Sequence, residues 1–275
     1  MGHSVTPGTA PDHGHRTMLV NATVALLLGS ALMVIVHECC HWVAGALIGH
    51  RSTLYAFGVE YDPPTQGTQA AFTALAGVVG SLLIGVLCTT WLPLRRRNDF
   101  WHLLWLWFGF CQLEEAVTYF VITPFGAGDT AVALDGLGWP SEVGLAVSAL
   151  GIGGMFVTAR MWAPHMRRAA GDDLMLARCF SFFPWLLSIP VGALLTWAQL
   201  AGAGVSVSIG EATDIMLAGL AATVFAPMGF IFFRRTQGQP RQPLVLRPVP
   251  IVAIAIFVIL ETLNLTVLLR GLTIG

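Results

Sequence analysis

The chain has 275 residues, of which 55% are hydrophobic and 11% are charged, and its formal net charge is −1. A mean hydropathy of +0.73 is far above that of a soluble domain, so the composition excludes an ordinary globular protein and predicts a polytopic membrane protein. The nearly balanced charge gives no indication of a nucleic-acid partner.

Seven apolar segments follow a polar tail at residues 1–17, which we expect to be flexible. Each segment is close to the ~20 residues that a transmembrane helix needs. The predicted spans are 19–47, 69–94, 101–123, 141–163, 178–201, 212–233 and 249–269. This pattern predicts an all-α integral membrane protein with about seven transmembrane helices.

The arginines orient the predicted spans in the membrane. All 14 basic residues are arginines, and basic residues are enriched in the cytoplasmic segments of membrane proteins. With the N-terminus in the cytoplasm, every arginine except Arg51 and Arg270 falls on the cytoplasmic side. We therefore expect a cytoplasmic N-terminus and an external C-terminus.

The first predicted span carries the sequence H-E-C-C-H at residues 37–41. On a helix, His37 and His41 are four residues apart and lie on the same face, where two imidazoles can bind one Zn²⁺. Glu38 can then act as the general base toward water at that metal. The motif also occurs by chance in soluble proteins, but a Glu and two His in hydrocarbon are costly without partners. The metal-binding interpretation is therefore favoured.

The segment between the first two spans shows a strand-like pattern. Large side chains recur with a period of two at Tyr55, Phe57, Val59 and Tyr61, and the prolines that follow Asp62 end the pattern. This periodicity predicts a short β-hairpin at the membrane surface. Such an edge could hold a peptide by strand addition. The alternative is an ordinary amphipathic loop.

A catalytic zinc ion usually has three protein ligands and one open position, so the sequence must supply a third ligand. Asp129 lies on a glycine-flanked segment that leaves the third span, at the depth of the two histidines, because the first and third spans run in the same direction. Asp135 follows on the same segment. Glu114 and Glu115 lie inside the third span at a similar depth. Depth alone leaves these four carboxylates as alternatives.

Together these features resemble the site-2 protease family of intramembrane zinc metalloproteases, and its small bacterial members above all. The H-E-x-x-H in the first apolar helix, the hairpin-like segment after it and the small residues that begin at Ala76-Gly77 are similar to that family. The spacing from Pro124 to Asp129 resembles the family's N-x-x-P-x-x-x-x-D-G motif. The resemblance covers about residues 30–150. It implies that Asp129 is the third zinc ligand and that the substrate is a transmembrane or membrane-associated protein. Because the likeness is to bacterial members, it also implies a location in the bacterial inner membrane.

The chain departs from the family pattern at four positions. Val121 and Thr130 replace the Asn and Gly of the later motif, while Val78 and Ser81 replace the Pro and Asn of the second-span motif. The missing Asn leaves two interpretations. Either a polar residue in the stretch 112–115 of the third span takes its role, or the protein no longer cuts peptides.

The sequence thus predicts a tail at 1–17, a metalloprotease-like core of three helices at 18–140 and a scaffold of four helices at 141–275. We expect an intramembrane zinc metallopeptidase with Glu38 as the catalytic base, embedded in the lipid bilayer. Two other functions stay open: a transporter or channel that uses buried carboxylates, and a catalytically inactive metal-binding scaffold. The oligomeric state is also left open.

Overall fold

The computed structural model describes residues 12–56, 58–90, 97–202 and 221–275. Within these ranges the chain is mostly helical, as predicted for an all-α membrane protein. In the described residues, five helices are long and apolar enough to cross a membrane, and a sixth is added if the bent pair Phe100–Phe125 and Gly128–Gly136 forms one span. The predicted span at 212–233 lies partly outside the described residues, so the count of seven stays a prediction.

The described residues of the first half of the chain form four α-helices and a β-hairpin. The elements are α1 (Asp12–Leu47), β1 (Arg51–Tyr55), β2 (Gly58–Asp62), α2 (Thr68–Thr90), α3 (Phe100–Ile122) and α4 (Gly128–Gly136). α1 begins earlier than predicted, so residues 12–17 of the expected flexible tail are helical. This first part of α1 is fastened to the rest of the molecule, since Nε2 of His15 lies 2.8 Å from Oδ2 of Asp173.

The second half of the chain supplies the helices predicted as a scaffold. The elements are α5 (Glu142–Ala170), α6 (Leu174–Ala177), a π-helical turn (Arg178–Phe182), α7 (Phe183–Gly202), α8 (Phe225–Phe233), α9 (Ile251–Thr266) and β3 (Leu272–Ile274). α6, the π-helical turn and α7 follow one another without a break and together match the predicted fifth span.

The strand-like segment after the first span is a β-hairpin, as predicted. β1 and β2 are antiparallel, with Arg51 opposite Asp62 and Tyr55 opposite Gly58. Phe57, which belongs to the predicted alternation, lies outside the described residues. β3 pairs with the other side of β1, so the strand order is β2-β1-β3. This third strand was not predicted from the sequence.

The largest buried side chains are aromatic and lie where α3, α5 and α8 meet. Trp107 and Phe110 of α3 pack against Trp162 of α5, with ring centroids 4.8 and 4.9 Å apart. Phe225 of α8 contacts all three rings. Between membrane helices such contacts stabilise through van der Waals packing. The cluster therefore fixes α3, which also packs against α1 and α2.

Arg51 and Arg247, which are predicted on opposite sides of the membrane, lie toward opposite ends of α1. Arg51 is in β1 and Arg270 lies two residues before β3, and these strands pair close to the C-terminal end of α1. At the other end, Asn21 of α1 donates a hydrogen bond of 2.7 Å to the carbonyl oxygen of Arg247. The separation fits the predicted topology, while the end that faces the cytoplasm stays a prediction.

Candidate metal centre

Two histidine side chains of α1 meet on one face of the helix, as their four-residue spacing predicts. His37 and His41 are 1% and 6% exposed, and their ring centroids are 4.7 Å apart with an interplanar angle of 79°. Their Nε2 atoms are 3.0 Å apart. Both imidazoles therefore present a nitrogen atom to the same point.

The turn between α3 and α4 brings Asp129 to this point. Gly126 and Gly128 have φ angles of +71° and +76°, a conformation that glycine adopts readily because it has no Cβ. The helices on either side differ in direction by 59°. Thr130 fixes the first turn of α4, because its hydroxyl donates a 2.7 Å hydrogen bond to the carbonyl oxygen of Tyr119. This departure from the family motif thus supplies a contact that positions Asp129.

Asp129 completes a group of three side chains that could share a metal ion. Its Oδ2 lies 2.9 Å from Nε2 of His37 and 3.1 Å from Nε2 of His41. A tetrahedral zinc ion with bonds of ~2.0–2.1 Å holds its ligand atoms ~3.3 Å apart, so the observed triangle is close to the size that zinc requires. In the described part of the chain, this is the one group of three His, Cys, Asp or Glu side chains that could share an ion.

The second nitrogen of each imidazole, Nδ1, contacts α2. These contacts indicate which nitrogen of each ring carries the proton. Nδ1 of His41 lies 2.7 Å from the carbonyl oxygen of Thr73, which can only accept, so Nδ1 carries a proton and donates it. In neutral His41, Nε2 is then unprotonated, and its lone pair points toward Asp129. Nδ1 of His37 lies 3.1 Å from Oγ of Ser81, which can accept in the same way. Histidines that bind metals typically donate their second nitrogen to such a partner.

Gly77 of α2 leaves the space that the two imidazoles occupy. A Cβ at this position would lie 2.3 Å from Nε2 of His41 and 2.7 Å from Cε1 of His37. The missing side chain also opens the path by which His41 reaches the carbonyl oxygen of Thr73, one helical turn earlier. The small residues of the second span therefore let α2 pack closely against α1.

Glu38 borders the group without joining it. Its side chain is half-buried, and its carboxylate interacts electrostatically with His41, His37 and Asp129. Consecutive residues on a helix are rotated by ~100°, so Glu38 cannot share the face of the two histidines. Glu38 therefore lies beside the three side chains, and its role as a general base stays a prediction.

The other candidate carboxylates lie outside the group. Asp135 is exposed on α4, and Glu114 is buried on the side of α3 that faces α5. Glu115 is closer, since its carboxylate interacts electrostatically with His37 and Asp129. The ring of Tyr119 stacks on the imidazole of His37 with a centroid distance of 5.1 Å. Glu115 therefore lies near the group of His37, His41 and Asp129 but is not part of it.

Ser81, Thr73 and Tyr119 contact the histidines, although the sequence did not predict these contacts. Ser81 is the one hydroxyl side chain of α2 between Thr73 and Thr89. An isolated polar residue in an apolar span needs a partner, so the sequence could have indicated that Ser81 contacts a polar group. Thr73 acts through its backbone carbonyl, which no sequence pattern reports. The stacking of Tyr119 depends on how α1 and α3 cross.

The hairpin is fastened to α1 beside the site. The hydroxyl of Tyr61 in β2 donates to the carbonyl oxygen of His41 over 3.2 Å, and the indole of Trp42 donates to that of Ser52 over 2.9 Å. A Cβ on Gly45 would lie 2.3 Å from the Tyr61 ring, so glycine makes the close approach possible. Burial raises the pKa of Tyr61 to about 12, so the phenol remains a donor at neutral pH.

Comparisons with protein-family models, with curated proteins and with solved structures find no match to this chain. The resemblance to the site-2 protease family stays a prediction from the sequence motifs. The chemistry of the site is inferred from its side chains and their contacts.

Proposed function

We propose that this chain is an intramembrane zinc metallopeptidase that hydrolyses peptide bonds of membrane-spanning or membrane-associated proteins. The main support is the convergence of His37 Nε2, His41 Nε2 and Asp129 Oδ2, at 2.9–3.1 Å from one another, with Glu38 beside them. Two imidazoles and one carboxylate are typical of catalytic zinc, which keeps a fourth position open. Structural zinc sites are instead closed by four Cys or His ligands.

The donor set fits the metal. The two histidines and Asp129 would hold the ion, while the contacts from α2 keep both imidazoles oriented. Bound zinc supplies Lewis-acid chemistry, which polarises a carbonyl group and makes water more acidic. Glu38 removes a proton from the attacking water, whose oxygen bonds to the scissile carbonyl carbon, and delivers this proton to the leaving nitrogen as the C–N bond breaks. Together these steps hydrolyse a peptide bond.

The proposed substrate segment binds in an extended conformation, because a helix keeps its carbonyl groups in internal hydrogen bonds. β2 is an outer strand of the described sheet, whereas β1 is covered on its other side by β3. Tyr61 joins β2 to the backbone of His41. An unwound substrate segment that adds to β2 as a further strand would therefore lie close to the site.

The variant Glu38→Gln tests the proposal in protein reconstituted into liposomes with a single-span reporter substrate. We expect cleavage to fall by ~10²–10⁴-fold, the usual contribution of a general base. Zinc content should not change, because Glu38 is not a ligand. Glu142→Gln is the matched control, since it makes the same change at an exposed position at the start of α5, and it should cleave as the wild type does.

Other outcomes distinguish the rival functions. Cleavage retained in the Glu38→Gln variant would remove Glu38 from the mechanism. A wild-type protein that binds zinc but cleaves no member of a reporter panel would favour the inactive metal-binding scaffold. A protein that binds no metal and conducts ions across the liposome membrane would favour the transporter or channel.

A further inference from the structure

A small polar cavity lies at the start of α3, at the end of that helix remote from the metal centre. Its volume is about 50 Å³, and since a water molecule needs roughly 10–15 Å³ by the same measure, it has space for a phosphate group. The basic residues in its wall are Arg97, His102, His165 and Arg168. No carboxylate is among its lining residues in the described part of the chain.

The cavity wall is held by the extended segment between α8 and α9, residues 239–250. The N–H of Gln242 donates a 2.7 Å hydrogen bond to the carbonyl oxygen of Arg168, and the N–H of Val245 donates a 2.6 Å bond to that of Asn98. Asp99 orients Arg97, since its Oδ2 accepts from Nε over 2.8 Å. A guanidinium has five N–H donors, more than this carboxylate uses. Arg97 is therefore placed in advance for a second anion.

A larger groove adjoins the polar cavity, and the two share Arg97. It has a volume of about 760 Å³ and a mostly apolar lining. The lining includes Trp101, Arg247, Val249, Ile251 and Val252. Since α3 begins at Phe100 and α9 at Ile251, the groove lies where two membrane helices begin. Tryptophan is enriched at this level of membrane proteins.

We propose that the cavity and the groove together bind one anionic phospholipid. Its phosphate would lie beside Arg97 and Arg168, and an acyl chain would occupy the apolar groove. The charge is complementary, because these two residues and Arg247 oppose a single carboxylate, that of Asp99, in the two linings. The planar guanidinium matches phosphate geometry, and basic pockets between membrane helices bind lipid headgroups. A free phosphate would leave the groove without an occupant, and a zwitterionic lipid would leave the excess charge unopposed.

Native mass spectrometry of the full chain in neutral detergent tests the proposal, with phosphatidylglycerol, phosphatidylcholine and inorganic phosphate as separate probes. We expect phosphatidylglycerol to bind most tightly. Arg168→Gln and Arg97→Gln should each weaken its binding by about 5-fold, the value of one arginine beside an anionic headgroup. Val252→Trp should also weaken it, because the indole fills the groove while all three arginines remain. Binding of phosphatidylcholine should not respond to the arginine changes.

Arg234→Gln is the matched control, because this arginine is exposed and lies outside both linings. It should bind phosphatidylglycerol as the wild type does. If Arg168→Gln perturbs folding, Arg97→Gln still tests the lipid site, because the side chain of Arg97 is exposed and its replacement should not disturb the fold. Wild-type affinity in both arginine variants would overturn the site. Two results together would show that the ligand is a free anion and not a lipid. They are binding of inorganic phosphate as tight as that of phosphatidylglycerol, and wild-type lipid affinity in Val252→Trp. The measurement requires no peptidase activity, so it stands apart from the proposed function.

Discussion

Gly77 of α2 and His41 of α1 touch so closely that no larger residue fits at position 77. A Cβ on Gly77 would lie 2.3 Å from Nε2 of His41, and Nε2 is the atom that faces Asp129. The packing of two membrane helices and the placement of a proposed zinc ligand therefore depend on the same contact.

Gly77→Ala should displace His41 and disrupt the site. We expect zinc affinity to fall by at least ~10-fold, as for loss of a contact that orients a ligand, and overpacking to lower the free energy of unfolding by ~1–3 kcal/mol. Competition with a chromophoric chelator and thermal unfolding in detergent measure the two effects. Gly153→Ala is the control, because a Cβ there meets nothing within 4 Å. Equal zinc affinity in the two variants would contradict the account.

Ser81→Ala tests whether the hydroxyl beside His37 orients the imidazole. Without it, Nδ1 loses the partner that lies 3.1 Å away, and the ring is free to adopt the other tautomer. We expect zinc affinity to fall by ~10–100-fold, with little change in helix content. Ser148→Ala makes the same change on α5, where the hydroxyl donates to the carbonyl oxygen of Val121, and it should bind zinc normally. An unchanged affinity in Ser81→Ala would show that Ser81 does not orient His37.

The stability of the α5–α6 connection should depend on pH through Asp173. Its carboxylate accepts a 2.9 Å hydrogen bond from the N–H of Leu176 and lies 2.8 Å from Nε2 of His15, and these contacts hold the pKa of Asp173 below its usual value. A carboxylate with a lowered pKa stabilises the fold above its unfolded pKa of ~3.9, and this contribution is lost as the pH falls through the folded pKa.

Thermal unfolding of wild type and Asp173→Asn between pH ~5 and ~3 measures this effect. The wild type should be the more stable protein at the upper end, and the difference should shrink toward the lower end. Asp135→Asn, which changes an exposed carboxylate on α4, should show no such trend. A difference between wild type and Asp173→Asn that stays constant across the range would rule out the proposed contribution.

Local patterns were sufficient to predict much of the fold and the core of the site. Helical spacing placed His37 and His41 on one face, and period-two alternation predicted the hairpin, because both depend only on neighbouring residues. The separation of Pro124 and Asp129 pointed to the third side chain through a family resemblance. The structure brings these three polar side chains together.

The remaining features depend on contacts between segments that are distant in the chain. β3 has three residues and pairs with a strand more than 200 residues earlier, so no local signal could predict it. Ser81 contacts His37 only because Gly77 allows α1 and α2 to approach. The first turns of α1 are helical although they contain polar residues, and His15 there pairs with Asp173 from a distant loop. In each case tertiary contacts decided the local structure.

The most direct test of the central claim is the metal content of the purified protein, compared between wild type, His41→Ala, Asp129→Asn and Asp135→Asn. The account predicts about one zinc ion per chain in wild type and in Asp135→Asn, and at least ~100-fold weaker binding when His41 or Asp129 is changed. Wild-type protein that binds no zinc, or an Asp129→Asn variant that retains it at full affinity, would contradict the account.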